Sequence, residues 1–138
     1  MNDVHFSSKT NEWYTPQAFF DKLNKEFNFE IDVAATTENA KCKKFYTEAD
    51  NGLMQSWDNM RVWCNPPYGR GLKEWVKKAS LSIVGGGVIV LLIPARTDTS
   101  YFHDYIYGKA EIRFIRGRLK FGDSKNSAPF PSMIVIFR

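Results

Sequence analysis

The run Val88-Ile89-Val90-Leu91-Leu92-Ile93 is the longest apolar stretch of this 138-residue chain. A continuous apolar run of this length is typical of a strand buried on both faces of a sheet. Pro94 follows and ends it. The run is far shorter than the ~20 residues of a membrane-spanning helix, so we expect a water-exposed globular protein rather than a membrane protein.

Outward from this run, strand-like and helix-like segments alternate in both directions. Such alternation predicts a single α/β domain, with a mostly parallel sheet and helices on both faces. In such sheets ligands bind at the carboxyl ends of the strands, which here means after Asp32, at Asn65 to Tyr68 and after Pro94. The predicted strands are 61–64, 88–93, 112–115 and 133–137, and residues 29–35 predict a short strand that runs into a loop, with Asp32 at the strand tip. The predicted helices begin at Thr15-Pro16, near Leu72 and near Tyr101.

The segments before this core are less regular. Residues 1–12 are polar and predict a mobile arm, which leaves residues 13–138 as the domain. Thr15 and Pro16 predict a helix start, with Thr15 capping the first amides. Between residues 36 and 60 only a short strand at Phe45-Tyr46 and a helical turn at Leu53-Met54 are predicted.

Composition and charge exclude several classes of protein. Hydrophobic residues make up 43% of the chain and charged residues 25%, which is typical of a folded domain. Cys42 and Cys64 have no metal-binding spacing, so we expect no metal and a reducing cytoplasm. The N-terminus has no secretory pattern. The net charge of +4 suits a polyanionic partner, and the 15% aromatic content suits either a core or stacking on flat ligands.

Asn65-Pro66-Pro67-Tyr68, at the end of a predicted strand and before a helix, is the motif that carries chemistry. Pro66 has no N–H and cannot extend a ladder, which frees its carbonyl to point into a cleft. The Asn65 oxygen is a second acceptor beside it, and two such acceptors suit a planar NH2 group. Tyr68 offers a face on which the ring bearing that group can stack. The alternative is that the prolines only end the strand and Tyr68 covers the core.

The chain resembles the phage-type, Dam-like DNA N6-adenine methyltransferases, which depend on S-adenosylmethionine. The resemblance covers nearly the whole chain and implies a minimal Rossmann-like class I methyltransferase fold. The Asn-Pro-Pro-Tyr motif is shared with glutamine methyltransferases, whereas the later segments are more specific to the phage group. The segments that carry the resemblance are NEWYTP (11–16), IDVAAT (31–36), NAKC (39–42), VWCNPPYG (62–69), LIPARTDTSYFHD (92–104), IRGRLKFGD (115–123) and APFPSMIVIF (128–137).

The resemblance also implies a cofactor site. Tyr14-Thr15-Pro16 is similar to the segment that contacts the methionine end of the cofactor, although a plain helix cap is an equal alternative. Asp32 matches the acidic residue that such enzymes place near the cofactor's amino group, with an Asx turn as the alternative. The small residues Ala34 and Ala35 could let the cofactor approach closely. Asp50 resembles the residue that binds the cofactor adenine, and Glu38 is a candidate for the ribose. The glycine-rich turn usual in this superfamily is missing, and Asp-Val-Ala-Ala-Thr-Thr (32–37) stands in its place.

The chain has no obvious insertion for reading DNA sequence, so loops must contact the DNA. Arg96 lies in one candidate loop and residues 116–125 form another. Cations there could neutralise phosphates or could simply be solvated. Phe121 could pack on the flipped base or belong to the core. The cations of the second loop are Arg116, Arg118, Lys120 and Lys125.

The predicted function is therefore methylation of the exocyclic amine of an adenine flipped out of duplex DNA. The catalytic candidates are Asn65, Pro66, Pro67 and Tyr68, and substitution of Asn65 or Tyr68 by alanine is expected to abolish turnover while leaving the fold largely intact. The expected partner is double-stranded DNA, bound by a monomer or homodimer, in a bacterial host carrying a phage or prophage. Three alternatives remain open: a protein glutamine N-methyltransferase, a non-catalytic nucleic-acid-binding domain and a structural domain with coincidental motifs.

Overall fold

The computed structural model describes residues 13–83, 86–122 and 127–138. The predicted mobile arm, residues 1–12, lies outside the described residues, as do Gly85 of the turn before the apolar run and Lys125 of the basic loop. Within the described part no helix is long and apolar enough to cross a membrane.

In the described part of the chain, two α-helices and six strands form the framework. The helices are α1 (Gln17–Phe27) and α2 (Leu72–Leu81). The strands are β1 (Ile31–Asp32), β2 (Lys44–Phe45), β3 (Arg61–Cys64), β4 (Val88–Pro94), β5 (Glu111–Phe114) and β6 (Ser132–Phe137). A 3₁₀ turn at Gly52–Met54 confirms the turn expected near Leu53.

The six strands form one sheet in the order β2-β1-β3-β4-β6-β5. The ladders β1–β2, β1–β3 and β3–β4 are parallel, whereas β6 is antiparallel to both β4 and β5. The α/β class is confirmed, but the sheet is mixed. The prediction of a mostly parallel sheet missed that the connection from β5 to β6 has no helix among its described residues, 115–122 and 127–131. A parallel partner usually needs a helical crossover, so such a connection favours an antiparallel one.

The predicted core is confirmed at its centre. Every β4 residue from Ile89 to Pro94 is buried, as is every residue of β6. Pro94 is still paired with Ser132, so it belongs to the strand that it was expected to end. Ile93 and Met133 lie opposite each other in the β4–β6 ladder with no exposed surface.

Helix α1 begins differently from the sequence prediction. Pro16 occupies the N-cap position, and no side chain caps the helix, so Thr15 is not the cap. The helix ends at Asn28, which adopts a left-handed conformation (φ 53°) and donates its N–H to the Asn24 carbonyl at 2.8 Å. Phe20 packs α1 edge-on against Trp63 of β3, with ring centroids 5.3 Å apart.

The third predicted helix is reduced to one π-helical turn, Phe102–Ile106. The Tyr107 N–H donates to the Phe102 carbonyl five residues back, at 2.7 Å. Phe102 and Ile106 are buried, so the apolar spacing was interpreted correctly, but the segment is too short for a full α-helix.

Gly52 permits a close approach of two backbone segments. A Cβ atom at this position would lie 2.3 Å from the Val33 carbonyl oxygen. The Gly52 carbonyl also accepts a 2.9 Å hydrogen bond from Nε1 of the buried Trp57, which ties the 3₁₀ turn to the segment that follows it.

We therefore expect Gly52→Ala to lower the free energy of unfolding by about 2 kcal/mol through steric overlap with Val33. Gly71→Ala is the matched control, since a Cβ there meets nothing within 4 Å. Urea unfolding of both variants measures the difference. Equal stability of the two variants would contradict the close approach.

Candidate active site at the carboxyl ends of the parallel strands

A cavity of about 670 Å³ opens where β1, β2 and β3 end. Its walls come from the loops that follow these three strands, from the segment before α1 and from α2. This is the edge of the sheet that the strand order predicts for a ligand. The lining residues are Trp13, Tyr14, Thr15, 32–39, Lys41, 47–49, Asn51, Gly52, Trp63, 65–67 and Trp75.

Asp32 is the buried carboxylate of this cavity, with only 3% of its surface exposed. Its two oxygens accept hydrogen bonds from the backbone N–H groups of Ala34 (3.3 Å) and Lys41 (3.0 Å). Burial raises the pKa of Asp32 above its usual value, and these two hydrogen bonds offset part of that rise. The Ala34 bond is the Asx turn that the sequence left open, so Asp32 orders its loop and faces the cavity at the same time.

The loop after β1 needs no glycine. None of residues 33–41 has a positive φ, the conformation for which glycine is usually required. Thr36 and Asn39 instead bond reciprocally, because the Thr36 N–H donates to Asn39 Oδ1 at 2.7 Å and the Asn39 N–H donates to Thr36 Oγ1 at 3.2 Å. Side-chain hydrogen bonds thus replace the glycine-rich turn.

The charges on the cavity wall are unevenly distributed. Lys41 is the one cation among the described lining residues, whereas Asp32, Glu38 and Glu48 are acidic. Lys41 Nζ donates to Gln17 Oε1 at 2.8 Å, which fixes the ammonium near the start of α1. Burial lowers the pKa of Lys41, opposed by the nearby carboxylates of Asp32 and Asp21.

Asn65 stands at the end of β3 with its amide nitrogen fully engaged. Asn65 Nδ2 donates to the Thr15 hydroxyl oxygen at 3.0 Å and to the Trp13 carbonyl oxygen. Because a carbonyl oxygen can only accept, the amide must turn its nitrogen toward Trp13 and its oxygen away. Asn65 Oδ1 is buried and has no hydrogen-bond partner among the residues that the structure describes. A buried acceptor left unpaired costs about 1–3 kcal/mol, so this position needs an explanation.

Tyr68 belongs to an aromatic cluster, which we define as Trp13, Tyr68, Phe121 and Phe130. The rings of Trp13 and Tyr68 both pack edge-on against Phe121 and Phe130, with centroids 5.2–6.3 Å apart. The Tyr68 hydroxyl donates to the Leu92 carbonyl at 3.0 Å, and burial raises its pKa well above the usual value. Tyr68 is therefore a neutral core residue that is anchored to β4 through Leu92.

Comparison with known proteins identifies the family of this chain. Residues 5–138 match the family described as DNA N-6-adenine-methyltransferase (Dam). The chain belongs to this family. It is 36% identical over 109 residues to the DNA N-6-adenine-methyltransferase of Escherichia phage T1, which covers 78% of this chain and 45% of the relative. It is 29% identical over 133 residues to the enzyme of the same name from Haemophilus phage HP1, covering 91% of this chain and 77% of the relative.

A putative methyltransferase of Escherichia coli K12 is also similar, at 34% identity over 65 residues, covering 42% of this chain and 71% of that protein. The family resemblance inferred from the motifs is thereby confirmed. This Dam-family chain spans less than half the length of its phage T1 relative.

The structure brings most of the sequence-predicted site residues of this Dam-family chain to the cavity. Tyr14, Thr15, Asp32 and Ala34 line it with Asn65, Pro66 and Pro67, while Pro16 lies beside them at the start of α1. Asp50 does not line the cavity. Its carboxylate accepts hydrogen bonds from the Thr47 N–H (2.8 Å) and the Thr47 hydroxyl (3.1 Å). Tyr68 and Phe121 are buried in the aromatic cluster, outside the cavity lining. Arg96, Arg116, Arg118 and Lys120 are all exposed.

Sequence analysis missed several residues that the structure places at the site. Trp13 acts through its backbone carbonyl, which no sequence pattern reveals. Lys41 lies in the irregular segment after β1, where spacing gives no guidance. Trp63 could have been predicted as a site residue, because alternate residues of a strand share a face and Trp63 lies two positions before Asn65. Trp75 lies on the apolar side of α2, and its spacing in the sequence predicts only a core residue.

We expect the two Tyr68 variants to differ in stability, contrary to the expectation that Tyr68→Ala leaves the fold intact. Tyr68→Ala empties a buried ring site and should cost about 4 kcal/mol of unfolding free energy. Tyr68→Phe loses only the bond to Leu92 and should cost about 1 kcal/mol. Chemical denaturation checks both, and a Tyr68→Ala protein as stable as the wild type would contradict the burial of this ring.

Proposed function

We propose that this chain is an S-adenosylmethionine-dependent DNA methyltransferase that methylates N6 of an adenine flipped out of the duplex. The observation that carries the proposal is Asn65 Oδ1, a buried acceptor without a partner whose amide nitrogen is already held. An exocyclic amine supplies the hydrogen-bond donor that this oxygen lacks.

Pro66 provides the second acceptor. It is buried next to Asn65, and among the described residues no backbone N–H donates to its carbonyl oxygen. Two acceptors on one amine take both of its N–H groups, which holds the nitrogen in place and directs its lone pair toward the incoming methyl group. The rate gain in this proposal comes from positioning and from a fixed electrostatic environment.

The cavity fits the cofactor in size and chemistry. A volume of about 670 Å³ lies within the usual range for small-molecule sites, about 300–1,000 Å³. Asp32 is suited to the ammonium group, Lys41 to the carboxylate and Glu48 to hydroxyl groups of the ribose, while Trp63 and Trp75 offer apolar surface. Bound there, S-adenosylmethionine supplies an activated methyl group on a sulfonium.

In this transfer the bond between N6 and the methyl carbon would form as the sulfur–methyl bond breaks. The electron pair of the broken bond would stay on sulfur, and N6 would pass one proton to solvent water. Asn65 Oδ1 and the Pro66 carbonyl hold the amine by its N–H groups during this change. Because Oδ1 is buried, the side chains around it must shift when the base enters.

DNA binding is supported by the exposed cations of the loop after β5. Arg116, Arg118 and Lys120 project from one short segment, and Arg96 is exposed on the loop after β4. A net charge of +4 favours a polyanion. We propose double-stranded DNA as the substrate of a monomer or homodimer with a Rossmann-like fold and helices on both sheet faces, acting in the cytoplasm of a bacterium that carries a phage or prophage.

Methyl transfer from labelled S-adenosylmethionine to duplex DNA is the direct test. We expect label in N6-methyladenine with the wild-type chain, and a loss of at least about a hundredfold with Asn65→Ala, because the amine loses an acceptor that is positioned for the transition state. Gln55→Ala, which removes a side-chain amide outside the cavity lining, is the control and should leave transfer close to the wild-type rate. Label in protein glutamine, or DNA binding without transfer, would favour the alternative functions.

Cofactor affinity should weaken as the pH falls through the raised pKa of Asp32. The ionised carboxylate is the form that pairs with an ammonium, so binding is strongest above that pKa and weakest below it. Calorimetry from about pH 8 to about pH 4 measures the trend. Asp32→Asn should bind more weakly and with a flatter profile. An affinity that rises on acidification would contradict this role.

A further inference from the structure

Thr15 has a hydrogen bond that neither the cofactor nor the helix accounts for. Its side chain is 5% exposed, and its hydroxyl oxygen accepts from Asn65 Nδ2 at 3.0 Å. A threonine immediately before Pro16 would usually cap the helix, but no side chain caps α1. The hydroxyl is directed instead to the residue that carries the unpaired acceptor.

We propose that Thr15 is a positioning residue for methyl transfer, which holds the Asn65 amide so that Oδ1 meets the adenine amine. This inference rests on the proposed function and goes beyond it, because it gives Thr15 a role through Asn65 rather than through the cofactor.

The argument depends on how an asparagine side chain rotates. The terminal amide torsion of asparagine has broad, roughly two-fold preferences, so packing alone defines it poorly. Nδ2 has two N–H groups, and the structure gives each an acceptor, the Trp13 carbonyl and the Thr15 hydroxyl. With both N–H groups held, the direction of Oδ1 is fixed before any base arrives. Without Thr15, one buried N–H loses its partner and the amide can turn.

The segment that presents these acceptors is itself anchored, as positioning requires. The Tyr14 carbonyl accepts a 2.7 Å hydrogen bond from the Gly122 N–H. The Trp13 ring packs against Phe121 and Phe130 at 5.5 and 5.2 Å. Residues 13–15 are therefore held by the loop after β5, and Asn65 is held by residues 13–15.

Thr15→Val and Thr15→Ser form the matched pair that tests the role. Valine keeps the shape and removes the acceptor, whereas serine keeps the hydroxyl and removes a methyl group. At saturating cofactor and DNA we expect kcat of Thr15→Val to fall about tenfold and kcat of Thr15→Ser to stay within about threefold of wild type. The dissociation constant for S-adenosylmethionine, measured by calorimetry, should stay within about twofold for both variants.

A second readout does not depend on turnover. In ¹⁵N-labelled protein the side-chain amide signals of Asn65, assigned with Asn65→Ala, should move in Thr15→Val and stay near their wild-type positions in Thr15→Ser. A wild-type chain that transfers no methyl to adenine would overturn the proposed function, while the amide signals would still report whether Thr15 holds Asn65.

Three outcomes would overturn the inference itself. A higher dissociation constant for S-adenosylmethionine with unchanged kcat would show that Thr15 contacts the cofactor. Unchanged kcat and unchanged amide signals in Thr15→Val would show that the Trp13 carbonyl suffices. An equal loss of kcat in the valine and serine variants, with the same drop in melting temperature, would assign Thr15 to packing alone.

Discussion

The register between β1 and β3 is the constraint on which the site depends. Asp32 pairs with Trp63 in a parallel ladder, so the two residues share a face and β1 ends one residue before the end of β3. The Val33 N–H extends the ladder by one bond to the Trp63 carbonyl, at 3.1 Å. A shift of one residue would turn Asp32 to the other face and separate it from the loop that carries Asn65.

Around this register local hydrogen bonds and close contacts shape the walls of the cavity. Reciprocal bonds between Thr36 and Asn39 shape the loop after β1, where a glycine-rich turn is usual. The close contact of Gly52 with Val33 closes the wall of the cavity beside Trp75. Hydrogen bonds between side chains and backbone therefore do much of the shaping, which suits a domain with few residues for separate supporting layers.

The acceptor end of the site depends on contacts between distant parts of the chain. Residues 13–15 lie about fifty positions before Asn65 in sequence, yet they take both N–H groups of its amide. The loop after β5 holds these residues through Gly122 and the aromatic cluster. The loop proposed to contact DNA is thus connected to the acceptor through a few contacts.

The sequence by itself determined the α/β class, the buried strand at Val88–Ile93, the strand at Arg61–Cys64 and the family, because apolar periodicity and contiguous motifs are local properties. It also placed Asp32 and Asn65 at strand ends. Only the tertiary structure decided that β6 runs antiparallel, that Tyr68 is anchored in the core and that Asp50 lies outside the cavity lining. It alone showed that Thr15 bonds to Asn65 rather than capping α1. These features depend on contacts between residues far apart in the chain and on backbone carbonyls, such as that of Trp13, whose partners no residue identity specifies.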